Sequence, residues 1–151
     1  MQLVTHRFIT ETDVPNLKES LENDPYHYAT PVSFFLETGT VCSVYYLDDD
    51  LVFYIKGTPI EHDGWNILKL DIQFVDNNDF RKNIKTMTDG LEELAIRSYI
   101  NGFDVICFES VAPHLRNFCI KRLGFTPVPN FAEWLMKDLR ENQDYAYLHK
   151  T

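Results

Sequence analysis

The sequence predicts a single α/β domain of the α+β kind, a mixed, mostly antiparallel central sheet flanked by helices, and three observations predict it. First, 151 residues with 44% hydrophobic and 25% charged side chains is ordinary globular composition, long enough to bury one core without staples. Second, the pattern from Ile67 alternates strictly: Leu68, Leu70, Ile72 and Phe74 share one face, and Lys69, Asp71 and Gln73 share the other, as a strand requires. Third, the next segment changes period. Phe80, Ile84, Met87, Leu91, Leu94 and Ser98 fall three or four residues apart, along one face of a helix.

The remaining elements follow in chain order. Leu3 to Ile9 reads as a first strand, and Glu11, Thr12 and Asp13 are start signals for a helix through Leu17 and Leu21 that stops before Pro25. After an aromatic stretch containing Tyr26, Tyr28, Phe34 and Phe35, two β-rich runs, Val41 to Leu47 and Leu51 to Lys56, flank Asp48, Asp49 and Asp50 and predict a hairpin with an acidic turn. The alternating strand comes next, then the long helix, capped by Asn78 or Asp79 at its start and by Gly102 at its end. Val105 to Phe108 is a short apolar strand. Ser110 and Pro113 open a helix that closes at a left-handed Gly124, with Phe125 packed beneath the sheet as its apolar anchor. Phe125 to Val128 and Ala132 to Lys137 are the last strands. The order β-α-β-β-β-α-β-α-β-β places one strand–helix–strand unit after a meander, over residues 1–139, and leaves 140–151 as a polar, frayed tail.

Charge and motif content exclude several function classes. Asp and Glu outnumber Lys and Arg by 23 to 14, so the net charge of −9 argues against a nucleic-acid partner, which needs concentrated positive charge. Apolar runs are too short to span a bilayer, and the start MQLVTHRF carries no basic segment followed by an apolar one, so no membrane partner and a cytoplasmic location are expected. Cys42, Cys107 and Cys119 lack CxxC spacing and read as reduced thiols. The histidines His6, His27, His62, His114 and His149 show no ligand spacing, so no metal is expected. GxSxG and Cys–His signatures are absent, which removes nucleophilic hydrolysis.

The element order, the LGF closing the penultimate helix and a final strand written FAEWLMKDL resemble the GNAT N-acetyltransferase superfamily over Leu3 to Leu139. The resemblance implies an acyl-CoA-dependent N-acyltransferase that acetylates a small-molecule or protein amine, with acetyl-CoA as cofactor, in a monomer or homodimer. In that family an amphipathic strand leads to a Q/R-x-x-G-x-G/A loop at a helix start, where backbone amides hold the pyrophosphate of acyl-CoA. Here ILKLDIQFV leads into DNNDFRKNIKT. Arg81 matches the first position of the motif, while Ile84 and Thr86 stand at the two glycine positions. The interval from Arg81 to Gly124 is close to the family's usual one, which keeps the register and marks the loop as degenerate. Ile120 stands four residues ahead of Gly124, where many members place a tyrosine that protonates the leaving thiolate. Cys119 beside it points roughly 100° away around the helix and is no substitute. The FRK-x-I helix start and the basic HLRNFCIKRLGF helix also resemble degenerate GNAT-like proteins of tailed phages. That second resemblance implies a catalytically inactive virion or protein-interaction protein, located in a virion or the host cytoplasm.

The resemblance assigns candidate site residues. Asp71 and Glu109 are the candidate bases, since a carboxylate of raised pKa can take a proton from an attacking amine; a solvated strand carboxylate and a helix-capping residue are the plain alternatives. Ile72, Gln73, Phe74, Val75, Arg81, Lys82, Asn83, Lys85 and Thr86 are the candidate cofactor contacts. Within that set Asp71 and Gln73 are expected to face a cleft, Ile72 and Phe74 the core. Arg81, Lys82 and Lys85 crowd a helix start, where cations are unfavourable unless an anion neutralises them. Arg116, Lys121 and Arg122 extend the basic surface toward the nucleotide end of a cofactor, or simply solubilise an outer face.

Overall fold

The computed structural model describes residues 4–24, 29–37, 40–47, 50–75, 84–109 and 113–141. Its elements are β1 (Val4–Phe8), α1 (Val14–Glu22), β2 (Val41–Leu47), β3 (Asp50–His62), β4 (Trp65–Phe74), α2 (Ile84–Ile100), β5 (Val105–Glu109), α3 (Pro113–Arg122), β6 (Thr126–Val128) and β7 (Phe131–Asp138). Short 3-10 turns cover Glu11–Asp13, Val32–Leu36 and Leu139–Glu141. This is the element order predicted from sequence. The strands form one seven-stranded sheet in the order β1-β2-β3-β4-β5-β7-β6, in which β4 and β5 run parallel. Asn78 and Asp79, expected to cap α2, lie outside the described residues.

The chain forms two compact units, Met1–Gly57 with Asp71–Gly90, and Thr58–Leu70 with Leu91–Thr151. In the first, β1, β2 and β3 form an antiparallel meander in which Arg7, Val44 and Tyr54 fall in one row. Leu17 and Leu21, one helical turn apart, pack α1 onto this face with Phe35, Val44 and Tyr54, all 3% exposed or less. Before the helix, the Asp13 carboxylate accepts the Thr10 N–H at 2.9 Å, and it accepts both Arg7 guanidinium nitrogens at 2.8 and 2.6 Å. Strand β1 and the start of α1 are thereby tied together. Lys56 is buried, yet its ammonium is satisfied: Nζ lies 2.6 Å from Glu37 Oε2 and 3.6 Å above the Phe34 ring. Gly90 of α2 meets Phe53 of β3 so closely that an added Cβ would stand 2.6 Å from the ring.

In the second unit β3 turns into β4 through Asp63 and Gly64, both at positive φ, as a two-residue type I′ hairpin demands. Strand β3 is longer than the predicted run ending at Lys56. Pairing with β2 stops at the Val41–Gly57 partnership, and Pro59, which has no N–H to contribute, follows in β3 beyond that point. Leu68, Ile106, Phe108 and Leu135 are buried along one face of β4, β5 and β7. Helix α2 ends at a left-handed Gly102, where Phe103 N–H donates to Ser98 O and Gly102 N–H to Tyr99 O, a Schellman cap. Gly124 is left-handed too, and Phe125 behind it is buried edge-on against Phe108 with ring centroids 5.1 Å apart, as expected from sequence. Leu139, the last residue of the predicted domain, is buried and its N–H donates to Asp104 O, and in the expected tail the Arg140 guanidinium lies 3.4 Å from the centroid of the Trp65 ring. Residues 142–151 lie outside the described residues.

Candidate functional site

Strand β4 carries the candidate residues of the first unit. Asp71 and Ile72 are half-buried, but Gln73 is fully buried, and its amide nitrogen donates to Ser20 O at 3.3 Å and Ser20 Oγ at 3.0 Å. The expectation that Gln73 faces an open cleft is therefore corrected. Helix α1 covers that stretch of the strand and supplies the polar partners a buried amide needs. Val75 packs at the margin of the Leu17–Leu21 cluster, with Ile9, Phe34 and Leu51. Lys85 and Thr86 belong to α2, which is described from Ile84 onward. The side chains of Phe74, Lys85 and Thr86 lie outside the described residues, as do Arg81, Lys82 and Asn83 altogether.

The second unit holds Glu109, exposed at the C-terminal end of β5 and directly opposite Trp134 of β7. Two residues back, Cys107 has Lys69 of β4 on one side and Met136 of β7 on the other. Opposed residues project from the same face, so Lys69, Cys107, Glu109, Trp134 and Met136 line one face of this part of the sheet. The Lys69 ammonium stands 5.7 Å from the centroid of the Trp134 ring. Asp71 belongs to the first unit and Glu109 to the second.

On α3, Cys119 is fully buried and burial pushes its thiol up to about 12, which removes it as an acid or nucleophile near neutrality. Ile120 beside it is half-buried, and Lys121 and Arg122 are exposed. The His114 side chain lies outside the described residues. Sequence reasoning missed Lys137, which pairs with Ile106 on the core-facing side of β7. Desolvation lowers its pKa, opposed by the Glu92 carboxylate. Its parity with Leu135 was the available signal. Among the described residues no group of three or more His, Cys, Asp or Glu side chains is placed to hold a metal, and no helix is long and apolar enough to cross a membrane.

Comparison with known proteins turns on this architecture, since no protein-family model and no curated protein matches the sequence. Solved structures do match. The aminoglycoside N(6')acetyltransferase of Legionella pneumophila superposes with a TM-score of 0.69 at 9% identity, over 96% of this chain and 95% of that one. The fold is that of the GNAT N-acetyltransferases. Two further GNAT structures agree: aminoglycoside acetyltransferase AAC(6')-Ib in complex with coenzyme A has a TM-score of 0.63 at 17% identity, over 99% and 100% of the two chains. YncA of Salmonella typhimurium, a putative acetyltransferase with acetyl-CoA, has a TM-score of 0.62 at 15% identity, over 93% and 96%. The strand that the sequence resemblance singled out is β4, and residues 76–83 that follow it lie outside the described residues.

Proposed function

We propose that this chain is a GNAT-like N-acyltransferase that moves an acetyl group from acetyl-CoA to an amine, working with a degenerate donor loop. The observation that carries the reading is the likeness along nearly the whole chain to acetyltransferases, among them structures holding coenzyme A or acetyl-CoA. An amine acceptor is supported by the same group, because AAC(6')-Ib is also solved with kanamycin.

Ile72, Gln73, Phe74 and Val75 of β4, with Arg81, Lys82, Asn83, Lys85 and Thr86 around the start of α2, are the residues that would hold the donor. Gln73 takes part through its backbone, its side chain being committed to Ser20. A helix start offers free amides to an anion, and Arg81, Lys82 and Lys85 supply charge, so these residues fit a pyrophosphate electrostatically. Ile84 and Thr86 carry side chains where the family's glycines leave room, which weakens close approach. Acyl-CoA would supply an activated acyl carbon and a thiolate leaving group, so that the new C–N bond replaces the C–S bond. Asp71 or Glu109 accepts the proton that the amine nitrogen loses, and the sheet holds the amine in place for attack.

Thermal melting with and without acetyl-CoA tests the proposal. A ligand that binds only the folded state stabilises it by about 2.7 kcal/mol at a hundredfold excess over Kd; no shift at millimolar ligand sinks the acyltransferase reading. Ile84 and Thr86 at the glycine positions, and Ile120 at the tyrosine position, favour a second reading, an inactive GNAT-like protein that binds a partner such as a virion or host protein. Calorimetry on an Ile84→Gly, Thr86→Gly double variant separates the two. Tighter acetyl-CoA binding supports a decayed donor site, and continued absence of binding supports the interaction protein.

A further inference from the structure

Toward the Glu109 end of β5 the two faces of the second unit differ, although Val105 on the more open face is buried and Lys137 on the other is half-buried. Leu68, Ile106, Phe108 and Leu135 on that other face are all buried, whereas Lys69, Cys107, Trp134 and Met136 on the more open one are half-buried and Glu109 is exposed. The half-open face thus presents an indole ring with a carboxylate on the neighbouring strand, in direct register at Glu109 and Trp134. An indole face attracts a cation through its quadrupole, and a carboxylate accepts the N–H bonds that the same cation donates. Those two groups together select an alkylammonium. The structure already holds one against the ring: the Lys69 ammonium lies 5.7 Å from its centroid, reached diagonally across Cys107 and Met136.

We infer that Trp134 and Glu109 form a recognition site for an ammonium group of a diamine or polyamine, with Lys69 as the resident cation that the ligand displaces. A half-exposed cation–π pair is weak enough to exchange, and a chain of net charge −9 concentrates cations around itself. The chemistry also fixes the class of molecule. Nitrogen attacks an acyl carbon only as the neutral amine, so a site that selects an ammonium favours molecules with at least two nitrogens, one held charged and one free to react. As an acceptor site this rests on the acyltransferase reading.

Spermidine is the probe, titrated without acetyl-CoA into a Trp65→Phe background, where Trp134 is the one remaining tryptophan. A saturable change in Trp134 fluorescence is expected, with isothermal calorimetry giving the affinity. Glu109→Gln is expected to weaken binding by about tenfold, which corresponds to about 1.4 kcal/mol, and Lys69→Met to tighten it by removing the competitor. Trp134→Phe, which keeps a ring of weaker quadrupole, is expected to weaken binding while circular dichroism confirms the fold. No saturable binding, or an affinity indifferent to both Glu109→Gln and Trp134→Phe, overturns the inference. The two proposals fail separately: spermidine binding with no acetyl-CoA melting shift keeps the ammonium site and removes the transferase, and the reverse pattern keeps the transferase and removes the ammonium site.

Discussion

Asp13 accepts four hydrogen bonds in its ionised form, from Arg7 twice, from the Thr10 N–H and, at 3.5 Å, from the Thr10 hydroxyl, and the Arg7 guanidinium above all holds its carboxyl below the usual 3.8. A carboxyl whose folded pKa is depressed stabilises the fold above its unfolded value, and that contribution is lost as pH falls through the folded value. Asp13→Asn is therefore expected to cost about 2 kcal/mol at neutral pH, a modest figure for a charged hydrogen-bonded pair because the Arg7 side chain is 43% exposed. The deficit should shrink as pH falls below the ordinary carboxyl value of 3.8 and on through the depressed folded value. Urea unfolding of both proteins across that range checks it; an equal deficit throughout would mean that the carboxylate charge is not the source. Cys119 offers a second residue-scale test, since its thiolate is suppressed and its sulfur buried. Iodoacetamide at mildly alkaline pH should label the half-buried Cys42 and Cys107 and spare Cys119 until the chain is denatured, as intact-mass spectrometry would show. Labelling of all three at one rate would contradict it. Gln73 shows where residue-level reading stops: alternation correctly groups it with Asp71, but which face a helix will cover is a tertiary fact that parity does not contain.

Secondary elements were the most legible level, because each is punctuated by its own chemistry. The shift of period between β4 and α2, the glycine stops at Gly102 and Gly124, and Pro113 at the head of α3 all lie in the sequence and all mark boundaries in the fold. The full extent of β3 was not read, since Gly57, Thr58 and Pro59 look like a loop unless the strand is known to outrun its β2 partner. Asp63-Gly64, the strongest short hairpin signal in the chain, was legible and overlooked. Gly90 is a different case: its role in the packing of α2 becomes visible only when Phe53 is seen against it. Gly90→Ala should gain up to about 1 kcal/mol of helix propensity and lose about 1–3 kcal/mol to overpacking, because the Phe53 ring is completely buried and has nowhere to move. A net fall in the unfolding midpoint is expected. A rise would show that the ring can yield.

At the scale of the molecule, fold and site separate. The GNAT fold could be argued from element order, because packing constraints leave few ways to arrange that string of strands and helices. The site could not be argued as far, since a fold hosts many functions and the chemistry depends on a few side chains. Glu109 illustrates the gap: its place at the end of β5 followed from sequence, while the indole facing it depends on the register between β5 and β7.

Pro59 has a consequence for how copies of the chain behave in concentrated solution. A strand that has parted from its neighbour presents backbone donors and acceptors that another chain can template upon, and a residue lacking an N–H interrupts that ladder. Ile60, 42% exposed in the same stretch, supplies the apolar surface that such association would bury. Proline thus acts as a gatekeeper of colloidal stability, alongside the mutual repulsion of chains carrying a net charge of −9. Pro59→Val should leave the melting temperature of dilute protein within a few degrees and hasten the growth of light scattering on warming, most visibly in high salt, where repulsion between chains is screened. Scattering that develops no faster than in the parent would show that the strand edge is guarded by other means.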